Sequence, residues 1–114
     1  MIFGKQIVLD LYGCSAELLH DPLTVEAILL EAADAMGATV VTSNFHHFSP
    51  LGVSGVVVIQ ESHLAIHTWP EHGYCAVDIF TCGEIDLAAG VALVSERFGA
   101  GRRELRELVR GGGA

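Results

Sequence analysis

Between Glu61 and Gly83 the chain reads ESHLAIHTWPEHGYCAVDIFTCG, with a hydroxyl at Ser62, imidazoles at His63, His67 and His72, thiols at Cys75 and Cys82, and carboxylates at Glu61, Glu71 and Asp78. Side chains of these types act as nucleophiles, as general acids and bases, or as metal ligands. Lysine is missing from the stretch, and the chain's one lysine, Lys5, stands near its start. Amino-acid decarboxylation and transamination ordinarily call on a lysine or a bound pyridoxal. The source of any electrophile is therefore open at this point.

Taken singly, each residue has a bland reading beside the chemical one. On an extended strand His63 and His67 stand about 13 Å apart at ~3.3 Å per residue, too far to share one ion. A metal pair would need a helix, and Trp69-Pro70 opposes one. His20, His46, His47 and His72 read as ordinary hydrogen-bonded histidines. Cys82, at a strand end before Gly83, is either a small buried hydrophobe or a reactive thiol, and its exposure decides between them. Ser54 and Ser62 flank an apolar run, where serine often marks only a strand end, and Phe48 and Trp69 suit a core equally well. The residue inventory leaves a serine–histidine–acid hydrolase open, although the G-x-S-x-G elbow is absent.

The elements that must position these residues follow from period and punctuation. Residues 6–12 (QIVLDLY) are apolar and β-branched enough for a strand ended by Gly13. Asp21-Pro22 supplies an N-cap and a first-turn proline, and Val25, Ile28, Leu29, Ala32 and Met36 recur at helical spacing up to Gly37. Strands are expected over 38–45, 53–60, 64–68 and 74–81, with a loop at 46–52 and a turn at 69–73. Leu87, Val91, Val94 and Phe98 mark a second helix ended by Gly99, and 104–109 reads as an edge strand. Strands arrive in runs, so the class is α+β: a mostly antiparallel sheet with two helices on one face.

The 114 residues suit one domain, 1–114, and 51% hydrophobic against 18% charged residues supports a packed core with apolar surface left over for a partner subunit. A formal charge of −8 disfavours nucleic acid and anionic membrane as partners. Three cysteines without C-x-x-C spacing point to a reducing cytoplasm rather than a disulfide framework. Neither an export signal nor an apolar run of about 18 residues is present, so a soluble, unexported protein is expected.

Read as one ordered array, FHHFSPLGVSGVVVIQESHLAIHTWPEHGYCAVDIFTCG closely resembles the core of the prokaryotic S-adenosylmethionine decarboxylase proenzymes. The likeness extends more loosely from GKQIVLDLYGC through the second helix. The resemblance implies a two-layer α/β sandwich that forms a homodimer. It also implies a covalent pyruvoyl group made by self-cleavage between Glu61 and Ser62, with no metal and no pyridoxal phosphate. Ser62 matches the serine that becomes pyruvoyl, Ser54 and His67 match residues that assist processing, and Cys82 matches the proton donor of decarboxylation. Phe48 matches an aromatic that stacks on adenine, and Glu71 an acid that binds the ribose hydroxyls. The substrate so implied is S-adenosylmethionine, the product an aminopropyl donor for spermidine. Two alternatives stand beside it: the same pyruvoyl chemistry on arginine or ornithine, and an unprocessed metal-binding or regulatory dimer without catalysis.

Overall fold

The computed structural model describes residues 2–113. In chain order the elements are β1 (Gly4–Tyr12), α1 (Ala16–His20), α2 (Pro22–Ala35), β2 (Thr39–His47), β3 (Val53–Gln60), β4 (Ser62–Trp69), a 3₁₀ turn (Pro70–His72), β5 (Tyr74–Thr81), α3 (Leu87–Arg97) and β6 (Arg102–Arg110). The strands make one sheet in the order β2-β3-β4-β5-β1-β6, each neighbouring pair antiparallel. The α+β class expected from the pattern and the two-layer sandwich implied by the resemblance are the architecture observed.

Capping explains where the helices begin. The Asp21 carboxylate accepts from the Leu23 amide at 3.2 Å, with Pro22 filling the first turn, and Asp86 does the same for Ala89 at 3.1 Å. Three α-helices form rather than the two expected. The additional α1 has five residues, capped by Ser15 and seated by one fully buried side chain, Leu19. So short a segment has no periodicity to read.

All three helices cover one face of the sheet: α2 lies against β2 and β3, α1 against β4, and α3 against β1. Strand alternation supplies the other half of the core, with Ile7, Leu9, Leu11, Val57, Ile59, Leu64, Ile66, Val77 and Ile79 all buried beneath the helices. Gly55 belongs to this packing, because a Cβ there would lie 2.0 Å from the Phe45 ring.

The opposite face carries no helix. Val8, Val56, Val58, Ala65 and Ala76 on it are only half-buried. At one end Trp69, Tyr74 and Tyr12 stack in a row at 5.2 and 5.3 Å, continued by the Arg102 guanidinium 4.1 Å from the Tyr12 ring centre. The Tyr74 hydroxyl donates to Asp10 at 2.6 Å, and that bond, with partial burial, holds the phenol above its usual range. Within one chain this face is an apolar strip with a polar surround.

A buried hydroxyl ties the layers together. Thr68 accepts from the Val53 amide at 2.9 Å and donates to the Leu19 carbonyl at 2.8 Å, joining β4 to the start of β3 and to α1. Thr68→Val keeps the shape but strands a buried amide and a carbonyl, each unmet group costing about 1–3 kcal/mol. The variant should unfold at lower denaturant with an unchanged slope, measured by chemical denaturation; a midpoint equal to wild type would refute this role.

Candidate active site

The β3–β4 connection is a two-residue turn, Gln60-Glu61, that closes Ile59 against Ser62. Its exit is unusual: Ser62 has φ = 120°, a region that residues with a side chain rarely adopt. Such positions cost on the order of 1–3 kcal/mol and persist only where surrounding structure holds them. Here the holding structure is β5, since Ser62 opposes Thr81 in the β4–β5 ladder.

That pairing assembles a cluster around the Glu61–Ser62 bond. The Ser62 Oγ lies 3.4 Å from the Cys82 Sγ. The carbonyl oxygen of Glu61 has two donors turned toward it, the Thr81 hydroxyl at 3.5 Å and the Cys82 thiol at 4.0 Å. A hydroxyl thus stands beside its own preceding carbonyl, with two hydrogen-bond donors on that carbonyl's oxygen. This is the arrangement that a nitrogen-to-oxygen acyl shift requires. A cavity of about 420 Å³ opens next to it, walled by Phe3 and Lys5 from the start of β1 and by Cys82, Glu84 and Ile85 beyond β5.

Ser54 and His67 form a second cluster. They oppose one another across β3 and β4, and the Ser54 Oγ lies 2.8 Å from His67 Nδ1. His67 is exposed, and a shallow depression beside the pair is lined by Asn44, His46 and Val56. Phe48, 46% exposed, packs its edge against His46 at 4.5 Å. Glu71 is exposed on the 3₁₀ turn that follows β4.

The chain therefore brings Glu61, Ser62 and Cys82 together, and separately pairs Ser54 with His67 beside His46, against which Phe48 packs, without bringing the two groups to each other. His67 stands five positions along β4 from Ser62, about 16 Å at ~3.3 Å per residue. Thr81 was not singled out by its residue type. The available signal was its alternation in β5, which turns a hydroxyl toward the core, where it must find a partner.

The other thiols are of a different kind. Cys14 and Cys75 are buried, and the bond that Cys75 donates to Cys14, together with its burial, pushes the Cys75 thiol far above the usual range. Cys82 alone of the three is exposed. Among the described residues no three His, Cys, Asp or Glu side chains are grouped as metal ligands, and no helix is long and apolar enough to cross a membrane.

Residues 5–111 match the family model described as S-adenosylmethionine decarboxylase. The chain is 52% identical over 111 residues to a Pseudomonas aeruginosa protein named S-adenosylmethionine decarboxylase proenzyme, covering 96% of this chain and 69% of the relative. An Acidithiobacillus ferrooxidans protein of the same name is 52% identical over 109 residues, covering 95% of this chain and 82% of the relative. Among solved structures, the adenosylmethionine decarboxylase of Aquifex aeolicus superposes with a TM-score of 0.89 at 32% identity, over 96% of this chain and 92% of that one.

The cysteine environments make a direct prediction. Iodoacetamide should alkylate Cys82 in the native protein and reach Cys14 and Cys75 only after denaturation, as read by peptide mass mapping. Equal labelling of the three in the native state would contradict the burial described above.

Proposed function

The chain belongs to the S-adenosylmethionine decarboxylase family, and from that premise we propose how its own residues carry the reaction. It is an enzyme that decarboxylates S-adenosylmethionine, yielding the aminopropyl donor for spermidine. It is made as a proenzyme, and it cuts itself between Glu61 and Ser62. The observation that carries this reading is the corner at residues 61–62, where the Cys82 thiol lies 3.4 Å from the Ser62 hydroxyl and the Glu61 carbonyl oxygen has the Thr81 hydroxyl at 3.5 Å and that thiol at 4.0 Å.

Ser62 Oγ attacks the Glu61 carbonyl carbon, and collapse of the adduct breaks the peptide C–N bond, leaving an ester and a free amine at residue 62. A base then takes the Cα proton of residue 62, and β-elimination releases Glu61 as a carboxylate. The dehydroalanine so formed tautomerises to an imine, and hydrolysis, in which water supplies the carbonyl oxygen and ammonia leaves, gives pyruvoyl at residue 62. The residues present suit that group: the exposed thiol of Cys82 is the neighbour of its parent hydroxyl, and Cys82 and Thr81 line a cavity. A pyruvoyl carbonyl supplies the electron sink for loss of carbon dioxide, which accounts for a reactive stretch, residues 61–83, without lysine.

The chain's own side chains do the rest. Cys82, 3.4 Å from Ser62 Oγ, holds the proton that the substrate carbon needs after carbon dioxide departs. Phe48 offers an exposed aromatic face to the adenine, and a cation near such a face gains roughly 0.5–2 kcal/mol, a benefit open to the sulfonium. Glu71 accepts from the ribose hydroxyls.

His67, the base of this scheme, and Ser54 are about 16 Å from Ser62 in their own chain. A second copy removes the difficulty. Two sheets packed bare face to bare face lie about 10 Å apart, and a two-fold axis running across the strands brings the Ser54–His67 end of one to the Ser62–Cys82 end of the other. The half-buried apolar strip on that face supports the same homodimer, and the three free thiols suit a reducing cytoplasm.

Intact mass should resolve fragments 1–61 and a pyruvoyl-blocked 62–114, Ser62→Ala should stay whole, and the cut protein should release carbon dioxide from S-adenosylmethionine. Turnover of arginine or ornithine in its place would overturn the substrate assignment. Mixing tests the shared site. Ser62→Ala and His67→Ala chains each remain uncut alone; co-expressed, the His67→Ala chain should be cut, because its Ser62 meets the partner's intact histidine. No cleavage in the mixture, with heterodimer demonstrated, would confine the site to one chain.

A further inference from the structure

We propose that Thr81 is a catalytic residue of self-cleavage, its hydroxyl donating to the Glu61 carbonyl oxygen as that oxygen becomes an oxyanion. The proposal rests on the reading above that the Glu61–Ser62 bond is the one cut.

Among the described residues Thr68 and Thr81 are the buried polar side chains, and their surroundings differ. Thr68 spends its hydroxyl fully, at 2.9 and 2.8 Å, on an amide and a carbonyl of the fold. Thr81, 3% exposed, accepts from the Gly83 amide at 3.0 Å, which fixes its oxygen and occupies a lone pair. Its proton has two acceptors in reach, the carbonyls of Glu61 and Gly83, each at 3.5 Å. Hydroxyl bonds of full strength are about 2.7–2.8 Å long. The Thr81 proton is therefore within reach of the target carbonyl and weakly engaged in the resting state, with the Gly83 carbonyl as its equal alternative.

That condition favours catalysis. A donor already at full strength on the ground-state carbonyl would stabilise reactant and adduct alike, whereas one that tightens only as charge develops lowers the barrier. The cross-strand pairing of Thr81 with Ser62 holds the oxygen at the corner through the attack. As the Ser62 Oγ–C bond forms, the carbonyl π pair moves onto the Glu61 oxygen. On collapse that pair returns, the C–N bond breaks, and the residue 62 nitrogen takes up the proton lost from Ser62 Oγ. Thr81 keeps its own proton throughout, and the step consumes no oxidant or co-reactant.

The test is the rate of fragment appearance in freshly purified protein, followed by intact mass for Thr81→Val, Thr81→Ala and Thr81→Ser. Loss of one oxyanion donor slows related reactions about 10²–10³-fold, and a fall of that order is expected for the valine and alanine variants. Thr81→Ser, which retains the hydroxyl, should recover most of the wild-type rate. Cleavage of either donor-less variant at the wild-type rate overturns the assignment. So does loss of cooperative thermal unfolding in both, which would make Thr81 a residue of the fold. A wild-type chain that stays whole defeats the underlying reading of self-cleavage instead, and the two failures are thus distinct.

Discussion

The antiparallel pairing of β4 with β5 sets Ser62 opposite Thr81, and the chemistry proposed for residue 62 depends on that register. The β3–β4 turn delivers the chain into β4 at an angle a serine rarely adopts, and the ladder to β5 keeps it there. A slip of one residue would exchange the two faces of every strand involved. The buried set Leu64, Ile66, Val77 and Ile79 forbids the slip, because each would leave the core for the bare face. Hydrophobic packing beneath the helices thus fixes, at a distance, which hydroxyl and which thiol meet the Glu61 carbonyl.

The same one-sided packing leaves the other sheet face for other uses. Helices on both faces would have buried Ser54 and His67, whose 2.8 Å contact stands on the uncovered side. With helices on one side only, this chain keeps a reactive pair and an aromatic row accessible on a surface whose centre is apolar. A surface of that composition suits a second copy of itself better than an anionic polymer, since the chain carries a formal charge of −8.

The cysteines illustrate how environment sorts identical side chains. Cys14 and Cys75 sit in the core as free thiols, and a hydrogen bond to Cys14 and burial hold Cys75 protonated. Cys82 lies just past the end of β5, where the ladder has stopped and the side chain reaches solvent. Its position one residue beyond Thr81 puts a thiol and a hydroxyl near the same carbonyl.

The sequence by itself determined the α+β class, the strand and helix order and the identity of most candidate residues, because period, caps and the ESH, HTWPE and FTCG steps are local. The cap at Asp21 and the apolar spacing of Val25, Ile28, Leu29 and Ala32 were legible for the same reason, while α1, with five residues, was too short to register. Only the tertiary structure decided which of those residues meet. It joined Ser62, Thr81 and Cys82 across strands far apart in number, and it separated His67 from Ser62 although both belong to β4. Proximity in a sheet follows strand order and register rather than sequence distance, and an extended strand carries its own residues apart at about 3.3 Å each.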